Sequence, residues 1–366
     1  MTTPLAILHT ENSCGWGGQE IRILTESRGF LDRGHRVTLI TPEEAPIAEA
    51  ARKTGLDVVT MPLRRRIGDM LALRRWIASH RAQIDVLNTH SSTDSWLGAV
   101  ACATLGNPPP VVRTRHVSTT VHDNLATRWL YRRGNSHIVT TGEAIRHQIA
   151  SSVGVPLEQM TSIPTGIDLA RFVPGNAHVA RGRLGLPDNP TLGIVATMRA
   201  WKGHSYLFDA LAATRDAWKE WQVLVVGGGP DGDLLKAYVD RAGLADLVRF
   251  TGHQEDVVPW LQSLDLFVLP SWGEEGVPQA VMQAMACGIP VVSTNVGAIG
   301  EAVEDGVTGL FAEKRSASSL ATKLVTLRDD AAMRARFSAA SRAKADRVFG
   351  IDRMLDAMER VFRSVQ

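Results

Sequence analysis

Short β-branched runs alternate with longer helical stretches along almost the whole chain, and this restricts the fold to α/β units built on parallel sheets. Segments 5–8, 37–40, 58–61, 84–89, 111–114 and 137–140 read as buried strands. Between them lie stretches with apolar spacing near 3.6, such as Ile21, Leu24 and Phe30-Leu31, stopped by Gly34 just past the helix end. The pattern pauses over 162–168, and Pro174-Gly175, Gly182, Gly185, Pro187 and Pro190 then give linker-like punctuation. A second series follows at 192–196, 222–226, 248–250, 266–269 and 290–293, and from Ser316 the chain reads as helical to its end. The 366 residues suit two domains, each with its own sheet. Ligands of such sheets bind at the carboxyl ends of the strands.

Composition narrows the function classes. Hydrophobic residues make up 44% and charged residues 21%, the mixture of a globular protein. The longest apolar stretches fall short of the ~20 residues that span a bilayer, and residues 1–10 lack the basic and apolar regions of a secretory signal. Cys14, Cys102 and Cys287 are too few and too scattered for a disulfide framework or a structural zinc site. A cytoplasmic protein is therefore expected. The net charge of +2 is too balanced for nucleic-acid binding by the whole chain.

Three loops at strand ends hold residues that could carry chemistry. Gly17 and Gly18, in Trp16-Gly17-Gly18-Gln19-Glu20, open a helix after the first strand. Such a turn admits an anion to free N–H groups, or is a plain strand–helix connection, and it lacks the G-x-G-x-x-G dinucleotide fingerprint. Arg199 and Lys202 follow the first strand of the second series and suit a diphosphate, or else are two solvated surface cations. The densest segment runs from Pro270 through Ser271-Trp272-Gly273-Glu274-Glu275-Gly276-Val277-Pro278 and on to Val292, with Pro278 placed in the first helical turn. Its carboxylates could accept hydrogen bonds from sugar hydroxyls, or be helix-start acids favoured by the macrodipole. Asp231-Gly232-Asp233 has the spacing of a divalent-metal motif, but its place at a helix start explains the acids better, and no metal is expected.

The segment after Pro270 resembles the signature of retaining glycosyltransferases of family 4. That pattern is a Glu-Gly-x-Pro loop, a second Glu eight positions after the first, then Ala-Met-Ala-x-Gly-x-Pro-Val-Val. Glu275 matches the first Glu, and Gln283 stands where the second is usual. Ala284-Met285-Ala286, Gly288 and Pro290-Val291-Val292 match the rest. Further partial matches lie in order along nearly the whole chain: Gly17-Gly18, Pro164-Thr165-Gly166-Ile167-Asp168, Val226-Gly227-Gly228-Gly229-Pro230, Phe250-Thr251-Gly252-His253 and Gly306-Val307-Thr308-Gly309-Leu310.

The resemblance implies the GT-B fold, α/β with two Rossmann-like domains facing across a cleft. An acceptor-binding domain would cover residues 1–168, joined by a C-terminal helix (350–366) that crosses back to it. A donor-binding domain would cover 182–349. It implies transfer of a hexosyl group, with retention, from a nucleoside-diphosphate sugar to a hydroxyl of a glycan or lipid-linked acceptor, without a cofactor or metal. Bacterial surface polysaccharide or lipopolysaccharide synthesis is the expected setting. Glu275 would hold hydroxyls of the donor sugar, and Gln283, which can donate and accept, the ribose. Gly17, Gly18, Gly276, Val277 and Pro278 would complete the donor site. Lys202 would meet the diphosphate. The family's arginine lies five positions earlier, where this chain has Thr197, so Arg199 is its substitute. His116, at a strand end, matches a histidine lying against the donor sugar. Two rivals are a nucleotide-binding oxidoreductase of doubly wound type and an inactive GT-B-fold binding protein, the latter suggested by Gln283.

Residues 64–81 form a separate feature. Arg64, Arg65, Arg66, Arg74, Arg75 and Arg81 face a single acid, Asp69, and are interleaved with Ile67, Met70, Leu71, Leu73, Trp76 and Ile77. This reads either as an interfacial helix for an anionic membrane surface, which would place the protein peripherally on the cytoplasmic face of the inner membrane, or as a core helix with a solvated basic side.

Overall fold

The computed structural model describes residues 3–116, 119, 121–273 and 275–366. The chain divides into two compact units, Met1–Gly166 with Ile351–Gln366, and Ile167–Gly350.

The sheet of the first unit has seven parallel strands: β1 (Ala6–Thr10), β2 (Arg36–Thr41), β3 (Asp57–Thr60), β4 (Val86–Thr89), β5 (Val111–Arg115), β6 (His137–Thr140) and β7 (Met160–Ser162). Their order is β3-β2-β1-β4-β5-β6-β7, with Ile7 in register with Val37 on one side and Val86 on the other. Alternate residues serve opposite faces. Ile7 and Leu39 pack with Ile23 and Phe30 of helix Gly18–Asp32, whereas Leu8 and Ile40 pack with Leu73 and Ile77 of helix Ile67–Ser79. The last helix, Ile351–Ser364, lays Met354, Leu355, Met358 and Phe362 on the first of these faces, so the chain's end belongs to the first unit, as expected. Edge strand β7 escapes the sequence pattern because it is three residues long with one apolar side chain, Met160.

The second unit has six parallel strands, β8 (Thr191–Val195), β9 (Gln222–Val226), β10 (Val248–Gly252), β11 (Leu266–Leu269), β12 (Val291–Thr294) and β13 (Gly309–Ala312), in the order β10-β9-β8-β11-β12-β13. One core joins Ile194, Val225, Phe267 and Val292 to Leu207, Phe208, Met282, Met285, Leu324 and Phe337 from the helices. Strand β13, like β7, is an edge strand missing from the sequence reading.

Residues 167 and 168, expected in the first domain, and 169–181, expected between the two, pack into the second unit. Ile167 N donates to Phe349 O (2.7 Å), Arg171 pairs with Asp256 (2.7 Å), and Arg181 of helix Ala177–Arg183 bonds Asp265 and Ser263 O, both at 3.1 Å. The boundary therefore falls between 166 and 167. Strand order reverses once in each sheet, between β1 and β4 and between β8 and β11, and such points are where α/β sheets bind ligands.

Candidate active site

In the second unit the loops that follow β8 and β11 meet at the switch point. Lys202 ends a single 3-10 turn, Ala200–Lys202, and Gly203 then adopts φ +79° before helix His204–Ala213. A Cβ at Gly203 would lie 2.0 Å from Pro270 O, so only glycine lets the two loops close. Trp272 N and Nε1 donate to Trp201 O (2.9 Å) and Ala200 O (2.8 Å), tying the loops further. This framework sets Lys202 Nζ 2.6 Å from Glu275 Oε1, which also accepts Ser271 Oγ at 2.9 Å. Both side chains are largely covered, at 19% and 12% exposure. From the other side Ala298 N donates to Glu275 O at 2.9 Å, and Gly297 (φ +57°) keeps its missing Cβ clear of the same carbonyl.

The other expected residues of the second unit lie on the same loops and on the helix that follows them. Arg199 does not join it: its guanidinium stacks 5.1 Å from the centre of the Trp201 ring and has no ion-pair partner among the described residues. Gly276 continues the loop and Val277 is buried. Pro278 is the residue before helix Gln279–Ala286 rather than within its first turn, a shift of one position. Gln283 is half-buried on that helix, flanked by the core residues Met282 and Ala284. Glu274 lies outside the described residues. Gly227 and Gly229, both at positive φ, fold the loop after β9 against Ala196 and Met198, with Met198 N on Gly228 O at 2.8 Å. Helix Gly232–Arg241 starts there, and Asp233 pairs with Lys236 on its surface (3.3 Å).

In the first unit the ends of β1, β4 and β5 bring three histidines into a row. His9 Nδ1 lies 2.8 Å from His90 Nε2, and His90 Nδ1 lies 3.0 Å from His116 Nε2, giving a row that ends at His116. Burial pushes His9 down to about 3 and holds His90 and His116 well below the usual imidazole value, so all three are neutral near pH 7. A neutral imidazole has one donor and one acceptor, hence the tautomers run in one direction along the row. Asp94, in the capping box of helix Ser92–Ala103, fixes the strand ends by accepting from Thr10 Oγ1 (3.0 Å), His90 N (2.8 Å) and Ser91 N (2.9 Å). Beside it burial, reinforced by Asp94, pushes the Glu11 carboxyl up to about 8. Gly17 is extended, and a Cβ there would meet only Glu20 Oε2, at 3.7 Å; the chain's own packing does not require this glycine. Gly18 opens the helix. His90 and His116 line a cavity of about 390 Å³ together with Gln19, Arg113, Arg115 and Tyr131.

Sequence reading found His116 but not His9, Glu11, His90, Asp94, Arg113 or Arg115. The available signal was the run of polar residues closing otherwise apolar strands, such as Arg113-Thr114-Arg115-His116.

The basic segment 64–81 takes the core-helix form. Leu73 and Ile77 are fully buried and Met70 and Trp76 pack beside them, so that face is already covered. Arg64 bonds Asp69, Arg65 bonds Ser92, Arg74 bonds Thr104, and Arg81 bonds the carbonyls of Ile84, Asn107 and Pro108. Ile67 and Leu71 remain exposed. Among the described residues no helix is long and apolar enough to cross a membrane.

Comparison with known proteins agrees over both units. A glycosyltransferase from Rickettsia africae superposes with TM-score 0.89 (17% identity, covering 100% of this chain and 99% of that one), and Anabaena Alr3699/HepE, solved with UDP, with 0.87 (21% identity, 98% and 100%). Two parallel α/β units with the last helix returned to the first define the GT-B class of glycosyltransferases. The model for "Glycosyltransferase Family 4" matches residues 16–171 and that for "Glycosyl transferases group 1" residues 189–330. The chain is 32% identical over 267 residues to the lipopolysaccharide core biosynthesis mannosyltransferase LpsB of Rhizobium meliloti, covering 69% of this chain and 73% of that protein. It is 28% identical over 352 residues to the 2-deoxystreptamine glucosyltransferase of Streptomyces kanamyceticus (86% and 90%). This protein belongs to glycosyltransferase family 4. The family assignment displaces the oxidoreductase alternative.

Proposed function

We propose that this protein transfers a hexosyl group, with retention, from a nucleoside-diphosphate sugar held by the second unit to an acceptor hydroxyl held by the first. The observation that carries this reading is the Lys202–Glu275 pair at the β8/β11 switch point, an ammonium for a diphosphate beside a carboxylate for sugar hydroxyls. As the bond between sugar and phosphate breaks, negative charge grows on the leaving oxygen. Lys202, with Arg199 in the same loop, meets that charge without a metal, and stabilisation of this kind acts on the transition state. Glu275 positions the sugar, and Gln283 binds the ribose through an amide that donates and accepts. Backbone at Gly17-Gly18 and Gly276-Val277-Pro278 completes the donor site, and neutral His116 offers the sugar a hydrogen bond without a charge. With no carboxylate assigned as nucleophile, the departing phosphate oxygen takes the acceptor proton while the acceptor attacks the same face.

The name of LpsB supports a place in bacterial surface-glycan synthesis and the UDP held by HepE a nucleotide-sugar donor; the proposal adds a glycan or lipid-linked acceptor met in the cytoplasm. A peripheral contact with an anionic membrane surface would fall to exposed Ile67 and Leu71 and their neighbouring arginines, and co-sedimentation with anionic vesicles tests it. The donor is tested by a thermal-shift panel of UDP-, GDP- and ADP-sugars. A ligand at 100 times its Kd stabilises the fold by about 2.7 kcal/mol. One nucleotide series should stand out, and its sugar should be transferred with retained anomeric configuration. A flat response to all three would overturn the reading.

A further inference from the structure

Arg113 and Arg115 occupy one face of β5 and are 3% and 8% exposed. Neither forms an ion pair among the described residues. Arg113 stacks 4.3 Å from the centre of the Tyr131 ring, and its Nε and Nη1 have no hydrogen-bond partner among the described residues. Arg115 Nη1 donates to Tyr131 Oη at 2.8 Å and Nη2 to Thr119 O and Oγ1, while its Nε is likewise unpartnered. Both side chains line the 390 Å³ cavity that holds His90 and His116, and no carboxylate is among its described lining residues. The nearby Asp94 is already engaged by Thr10, His90 and Ser91.

Burying a guanidinium without a counter-charge costs several kcal/mol, and the neutral histidines do not supply one. The Tyr131 ring and hydroxyl hold both forks in place, leaving N–H groups for a ligand. A guanidinium fork matches the paired oxygens of phosphate or carboxylate, and the cavity has the volume of a small-ligand site. We propose that this cavity binds the acceptor, and that the acceptor carries an oxyanion, phosphate or carboxylate, received by Arg113 and Arg115. The inference rests on the reading that the first unit holds the acceptor.

The test is calorimetric titration of the full chain, and of its Arg113→Met, Arg115→Met and Lys202→Ala variants, with inorganic phosphate, glucose 6-phosphate, glucuronate and glucose. Phosphate should bind saturably to the wild type and to Lys202→Ala, and at least tenfold more weakly to both arginine variants. Either glucose 6-phosphate or glucuronate should bind at least tenfold more tightly than glucose, and the better of the two identifies the oxyanion. Unliganded Arg113→Met should melt at or above the wild-type temperature, because an unpaired buried charge has been removed. Phosphate binding that is absent, or is lost in Lys202→Ala and kept in Arg113→Met, overturns the proposal. So does a lowered melting temperature in unliganded Arg113→Met, which would assign the guanidinium a structural role, and so does equal binding of all three sugars. The panel of UDP-, GDP- and ADP-sugars, run on the wild type and Arg113→Met, keeps the donor reading separate: a flat response to all three in both proteins would sink that reading while leaving the phosphate results to stand.

Discussion

Lys202 and Glu275, 73 positions apart in sequence, form an ion pair of 2.6 Å at the switch point of the second sheet. The cation proposed for the leaving diphosphate is thus held by the carboxylate proposed for the sugar. Turnover should fall on loss of either residue, whereas nucleotide binding should tighten on loss of Glu275. Lys202→Ala lowers turnover about 10²–10³-fold, and Arg199→Ala lowers it less. Glu275→Ala abolishes transfer yet tightens nucleoside diphosphate binding several-fold, because Lys202 loses its competing carboxylate. Rates in excess EDTA match those without it. Initial rates and nucleotide titrations check all four statements, and weaker diphosphate binding by Glu275→Ala would show the pair to be a structural brace.

Gly203→Ala should damage the site through the backbone. The left-handed conformation alone costs an alanine about 1–2 kcal/mol, and its Cβ would strike Pro270 O. The loops after β8 and β11 must then separate, so turnover falls together with melting temperature. Gly228→Ala is the control, since its Cβ would meet His253 at an ordinary 3.5 Å and the melting temperature should hold.

Restoring the family's usual residue by Gln283→Glu should keep activity within about tenfold, a difference of about 1.4 kcal/mol, since either side chain accepts from ribose hydroxyls. Complete loss in a rate assay would show that the amide's N–H group is required.

Inside the first unit Arg22 and Glu26 are fully buried, 3.5 Å apart, with Arg22 Nη1 on Ile163 O at 2.6 Å. Glu26→Ala leaves the guanidinium uncompensated and should cost about 3–5 kcal/mol in urea unfolding. A loss under about 1 kcal/mol would mean that Glu26, whose acidity burial lowers, is neutral in the folded chain.

Stability should fall with rising pH above 6.5. Burial pushes the Glu11 carboxyl up to about 8 in the folded chain against 4.5 for an ordinary glutamate, so between those values the folded state holds a proton that the unfolded state has released. His9 acts in the opposite sense: it stays neutral down to about 3, and stability it contributes is lost as pH falls below 6.5. Of these groups only the carboxyl acts from pH 6.5 to 8, where the melting temperature should decline. Glu11→Gln should flatten that slope, and a rising wild-type curve would contradict the assignment.

Lys202, Glu275, Gln283, His116 and the return of the last helix were singled out by the resemblance to the family's motifs, not by periodicity. The alternation of apolar strands and helices was legible in the sequence alone, because period records which residues are buried. Edge strands β7 and β13 and the true domain boundary were not, since short edges and a packed linker leave weak local patterns. Nor was the order of the strands. That order puts β8 beside β11, and so Lys202 beside Glu275; it puts β1, β4 and β5 side by side, and so aligns His9, His90 and His116. It also turns Arg113 and Arg115 from polar interruptions of a strand into buried cations with no ion-pair partner among the described residues. Strand order depends on how distant faces pack and how the crossovers run, a property of the whole chain that no short segment contains.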